Sequence, residues 1–96
     1  MSEQVNHPSH YNQEGRMECI DEMVDLFGEG FVCSWCILTA YKYLYRAGNK
    51  NSNPKEQDLA KAKWYLDWAK NHNYAMYGLT DKYNKVATMM LEILTA

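Results

Sequence analysis

Ile37-Leu38-Thr39-Ala40-Tyr41-Lys42-Tyr43-Leu44-Tyr45-Arg46-Ala47-Gly48 carries the repeat on which the fold class turns. Ile37, Ala40, Tyr41, Leu44 and Ala47 recur three and four residues apart, so they share one face of an α-helix. A strand would need sustained alternation of apolar and polar residues, and no convincing strand appears. Lys42 and Arg46 fall on a different face, one turn apart, where their charged heads can converge. The helix is expected to begin just after Gly30 and to stop at Gly48.

The same period extends on both sides. Met17, Ile20, Met23, Val24 and Phe27 form a helical face ended by Gly28. After the polar connection 49–53, Pro54 suits a first helical turn, with Asn53 as its cap. In the helix that follows, Leu59, Ala62, Leu66 and Ala69 form the inward stripe. Asp58, Lys61 and Tyr65 form a polar one, and Trp64 and Trp68 a second apolar ridge. Residues 71–80 read as irregular, with a turn at Gly78. A last helix, capped by Thr80 or Asp81, carries Val86, Met89, Met90, Ile93 and Leu94. The expectation is an all-α bundle of about four helices near 16–27, 31–47, 54–72 and 81–95. They make one domain over 1–96, with an irregular, site-forming segment over 1–15.

Composition narrows the function. The chain has 96 residues and a net charge of −2, which gives no global attraction to nucleic acid, so any anion binding must be local. No stretch is apolar enough to span a bilayer and no secretory leader is visible, which points to the cytoplasm. The three cysteines, an odd number, fit a reducing compartment. Eight Tyr, three Trp and six Met exceed what one small core needs. A helix with two apolar faces contacts two layers or a second subunit, and a homo-oligomer is expected that buries part of the surface of Trp64, Trp68, Met89 and Met90.

Three polar blocks stand apart from this packing pattern. His7-Pro8-Ser9-His10-Tyr11 precedes the first helix, and imidazoles there can act as acid, base or phosphate ligand near neutral pH. Lys42 and Arg46, interleaved with Tyr43 and Tyr45, combine a point charge with a rigid fork beside aromatic faces, as a nucleobase with a phosphate would want. Lys61 adds a third positive charge. Glu18, Asp21 and Asp58 are separated carboxylates that can bind a divalent cation through water, or pair with those cations. The acids lack the Glu-Glu-x-x-Glu spacing of all-α nucleotide pyrophosphohydrolases. His72, near a helix end, reads as a cap. Cys33-Ser34-Trp35-Cys36 lies on an apolar face and reads as buried thiols rather than zinc or redox chemistry. No metal site is expected, and neither a P-loop nor a dinucleotide-binding glycine motif is present.

Four blocks in order carry a resemblance: Val5 to Tyr11, Glu18-Cys19-Ile20-Asp21, Lys42 to Gly48, and Asp58-Leu59 through Lys61-Ala62 to Trp64-Tyr65-Leu66. They resemble a small family of phage proteins known as a domain of unknown function or as nucleotide kinase. A related domain occurs in the deoxynucleoside monophosphate kinase of a lytic coliphage, and other members are linked to sensitivity to abortive infection. Leu38-Thr39 stands where that family usually has Gly-Asn.

The resemblance implies a site built from His7, His10, Tyr11, Glu18, Asp21, Lys42, Arg46, Asp58 and Lys61. In a phosphotransferase, Lys42, Arg46 and Lys61 would hold phosphates and His10 or Asp58 would orient or deprotonate the acceptor. Tyr43 would contact the substrate, and a nucleoside triphosphate with Mg would be the donor. The alternative is a binding protein in the infected host that sequesters a nucleotide signal or inhibits a host defence protein.

Overall fold

The computed structural model describes residues 18–49 and 54–96, all as helices and short connections, with no strand among them. The site-forming segment, including His7, His10 and Tyr11, and the proposed cap Asn53 lie outside the described residues.

The first helix, α1, covers Cys19–Phe27. Asp21 and Glu22 sit in its first turn, where carboxylates suit the positive end of the helix dipole. Gly28 ends it with φ +95°, which a side chain would strain, and its N–H bonds to Val24 O at 2.8 Å. Its own carbonyl accepts from Val32 N–H at 3.2 Å, so a single residue separates α1 from α2, Glu29–Asn49. Gly30 is therefore inside α2 rather than before it. Its lack of a Cβ serves close approach, because a methyl there would stand 2.6 Å from a ring carbon of Tyr77. The Tyr77 hydroxyl donates to Glu29 Oε1 at 2.7 Å across the same junction. Gly48 does not stop α2, which runs to Asn49.

Packing of α2 on α3, Lys55–Asn71, dominates the molecule. Val32, Cys33, Cys36, Ile37, Ala40, Leu44 and Ala47 are buried along α2, facing Ala62, Leu66 and Ala69 of α3. Ala40, Ala62 and Ala69 have no exposed surface, and such small side chains let two helix backbones close together. Leu44, the largest fully buried apolar side chain, stabilises the fold by about 1.5–3 kcal/mol.

The end of α3 is closed by His72, whose N–H bonds to Trp68 O at 3.1 Å and whose ring stacks on Trp68 at 3.6 Å. The expected capping role of His72 thus holds. Its Nδ1 lies 2.8 Å from Trp68 O, an acceptor, so Nδ1 carries the proton. Asn73 takes φ +60°, a conformation that asparagine tolerates, and Tyr74–Tyr77 form a 3-10 turn rather than an irregular stretch. The last helix, α4, spans Thr80–Thr95. Neither Thr80 nor Asp81 caps it: Leu79 holds that position, with no side-chain cap bond.

Leu94 on α4 is exposed. Trp68 is buried, and Trp64, Met89 and Met90 pack half-buried against the core of the same chain. The surplus apolar surface therefore lies elsewhere, chiefly on α2, where Phe31, Trp35, Leu38, Tyr41 and Tyr45 are exposed. Among the described residues no helix is long and apolar enough to cross a membrane.

Candidate functional site

Tyr43, half-buried on α2, is the centre of the candidate site. Its neighbours Lys42 and Arg46 place Nζ 4.6 Å and Cζ 5.3 Å from the ring centroid. Lys61 reaches the same ring from α3, with Nζ at 5.4 Å. By the triangle inequality no two of these charges lie more than about 11 Å apart, roughly one Debye length at moderate salt. They therefore repel one another. Among the described residues no carboxylate forms an ion pair with any of them; the ion pair recorded there is Lys63–Asp67, at 2.7 Å on the exposed face of α3. The ring faces offset part of the repulsion through cation–π attraction. An anion would offset more.

Aromatic side chains hold Tyr43 in place. Its ring stacks on Tyr65 of α3 at 6.0 Å, and Tyr65 takes edge contacts from Trp35 at 5.4 Å and Trp64 at 5.0 Å. Burial, then the Tyr43 hydroxyl and the thiols of Cys36 and Cys19, push the Tyr65 hydroxyl above its ordinary value, so it is neutral. Trp35 and Tyr65 were not expected in the site. The signal for Tyr65 was its place one turn after Lys61; Trp35 was hidden within Cys-x-x-Cys.

The carboxylates separate into two groups. Glu18 and Asp21 lie half-buried at the start of α1, and both are engaged in interactions there. Asp58, expected on one stripe with Lys61 and Tyr65, is the most deeply buried of the three. It is 1 % exposed, in the first turn of α3, and its Oδ1 has no hydrogen-bond partner. A buried polar atom without a partner is rare enough in native folds to need an explanation. His7, His10 and Tyr11 lie outside the described residues.

Cys33 and Cys36 are fully buried free thiols. Cys33 Sγ donates to His72 O at 3.6 Å, tying the start of α2 to the end of α3. Burial pushes both thiols up, helped by Glu29 at Cys33 and by Cys33 at Cys36. A thiol whose folded value is raised stabilises the fold fully below its ordinary value of 9.0 and loses that contribution as pH climbs past it. Urea titrations are expected to show stability falling from about pH 9 upward, by roughly 1.4 kcal/mol per pH unit for each buried thiol ionised on unfolding. Cys36→Ala should flatten that slope; an unchanged slope would refute the assignment.

A broad depression of about 510 Å³ on α4, bordered by Asp81, Lys85 and Glu92, opens to solvent and holds none of the candidate residues. Among the described residues no cluster of three His, Cys, Asp or Glu side chains could hold a metal ion.

Comparison with curated proteins gives no match, and comparison with solved structures gives none. One family model does match, and its span takes in the N-terminal histidines, the start of α1, the Tyr43 cluster and Asp58. The chain belongs to the family of proteins of unknown function DUF3310, whose model matches residues 5–67.

Proposed function

We propose that the Tyr43 cluster binds a nucleotide or nucleotide-like phosphate compound. The observation that carries this reading is the meeting of Lys42, Arg46 and Lys61 around one ring with no carboxylate among the described residues paired to them. Structural ion pairs would place acids between such cations. A phosphate supplies the missing negative charge, with Arg46 as a bidentate donor and the lysines as point charges. Nearby aromatic surface suits a base.

Two forms of the reading differ in chemistry. As a nucleotide kinase-like phosphotransferase, the protein would act on a deoxynucleoside monophosphate with a nucleoside triphosphate and Mg, mainly by positioning and charge neutralisation. His10 and Asp58 would then serve the acceptor, with His7, Tyr11, Glu18 and Asp21 completing the site. As a phage binding protein in the bacterial cytoplasm, it would sequester a nucleotide signal or block a host defence protein. The burial of Asp58 favours the second form, because a carboxylate with 1 % exposure is poorly placed to take a proton from a diffusing acceptor.

Calorimetric titration with deoxynucleoside monophosphates and a nucleoside triphosphate, followed by chromatography of the mixture, tests both. Binding with transfer supports the kinase form, and binding without transfer supports sequestration. No heat with any nucleotide would overturn the phosphate site.

A further inference from the structure

The exposed apolar side chains of α2 form one stripe. Phe31, Trp35, Leu38, Tyr41 and Tyr45 are 70 %, 38 %, 68 %, 48 % and 58 % exposed. At 100° per residue they cover about 120° of the helix surface, opposite the buried Cys36, Ala40 and Ala47. Phe31, Leu38 and Tyr45 are seven residues apart, the repeat that keeps one helix face in register with a partner helix. The stripe shares Trp35 with the aromatic cluster that holds Tyr43, but the argument for it uses no phosphate binding.

Its pattern is symmetric in sequence. Counted from Leu38, the apolar positions fall at −7, −3, 0, +3 and +7. Reversing the helix direction leaves that set unchanged. A two-fold axis through Leu38 would therefore set Phe31 against Tyr45 of a second copy, Trp35 against Tyr41, and Leu38 against Leu38. An isologous interface needs this kind of self-complementarity, whereas an unrelated partner does not.

The area agrees. Together with Phe27, whose ring meets Phe31 at 6.4 Å, the stripe exposes about 800 Å² per chain, the share each partner gives to a standard stable interface. Lys42 projects from within this arc, between Phe31 and Trp35, and its ammonium lies 4.6 Å from the Tyr43 ring centroid.

We propose that the exposed face of α2, from Phe31 to Tyr45, is an antiparallel two-fold interface with a second copy of this chain.

Sedimentation of the full chain at micromolar concentration is expected to give a dimer. Leu38→Glu places two carboxylates face to face at the axis and should weaken association on the order of a hundredfold. The helical circular dichroism should be unchanged, because Leu38 is largely exposed within one chain. In a Cys19→Ser background, Phe31→Cys and Tyr45→Cys chains mixed under oxidation should cross-link to each other, while Phe31→Cys alone should not. A monomeric wild-type chain would overturn the proposal and assign the face to another occupant. A Leu38→Glu dimer would equally overturn it, and a Phe31→Cys self-cross-link would overturn the antiparallel order.

Discussion

Asp58→Asn is expected to raise the melting temperature and to leave binding of the phosphate compound unchanged, because a carboxylate buried this deeply does not reach a diffusing ligand. The carboxylate is buried to 1 % exposure, and its Oδ1 has no partner. A buried polar group left unsatisfied costs about 1–3 kcal/mol, and more when charged. Asparagine keeps the size and removes the charge. The opposing term is the favourable position of an acid in the first turn of α3, worth about 0.3–1 kcal/mol. Asparagine still leaves an amide oxygen there without a partner, so only the charged excess of the penalty is relieved, and the variant should gain at most about 1 kcal/mol, or roughly 4–8 °C for a domain of this size. That gain would show that Asp58 is not kept for stability. A loss of several degrees would instead make Asp58 a brace of the fold. Thermal melts of the two proteins, beside titrations with the same nucleotide, separate the outcomes.

The all-α architecture was legible because α2 must bury one face, and only a helical period places Ile37, Ala40, Leu44 and Ala47 together. The meeting of Lys42 with Arg46 was legible for the same reason, since one turn separates them. The depth of Asp58 is not legible in the sequence, because residue type does not report burial. Its spacing from Lys61 is helical, but how α3 turns against α2 decides which of the two faces inward. Gly28 and Gly30 show a related ambiguity. One supplies a positive φ and the other makes room for the Tyr77 ring, a residue far along the chain, and the two uses look alike in sequence. Trp64 and Trp68 were assigned to an interface on hydrophobicity alone. The stacking of His72 on Trp68 and the contact of Trp64 with Tyr65 use that surface within one chain. The exposed stripe of α2 went unread because Tyr41 counted toward the inward face, and Tyr45 toward the basic block.

Arg46→Ala should leave the fold intact and lower affinity for the phosphate compound more than tenfold. Alanine is the better helix former, so α2 keeps its geometry. Arg46 has no ion pair to lose among the described residues; its recorded contact is the Tyr43 ring at 5.3 Å, worth about 0.5–1 kcal/mol at a partly exposed position. Removing one of three mutually repelling cations returns part of that. The melting temperature should therefore move by no more than a few degrees. Binding behaves differently, because a bidentate charge-assisted contact contributes on the order of 1.5–3 kcal/mol, and 1.4 kcal/mol is already tenfold. Arg46→Lys keeps the charge but loses the fork, so its affinity should fall between those of wild type and Arg46→Ala. Lys42→Ala and Lys61→Ala should each weaken binding less, as point charges do, and more strongly at low salt than at high salt. An Arg46→Ala protein that melts early yet binds nucleotide as the wild type does would make the cluster a support for Tyr43 and leave the chain without a phosphate site there.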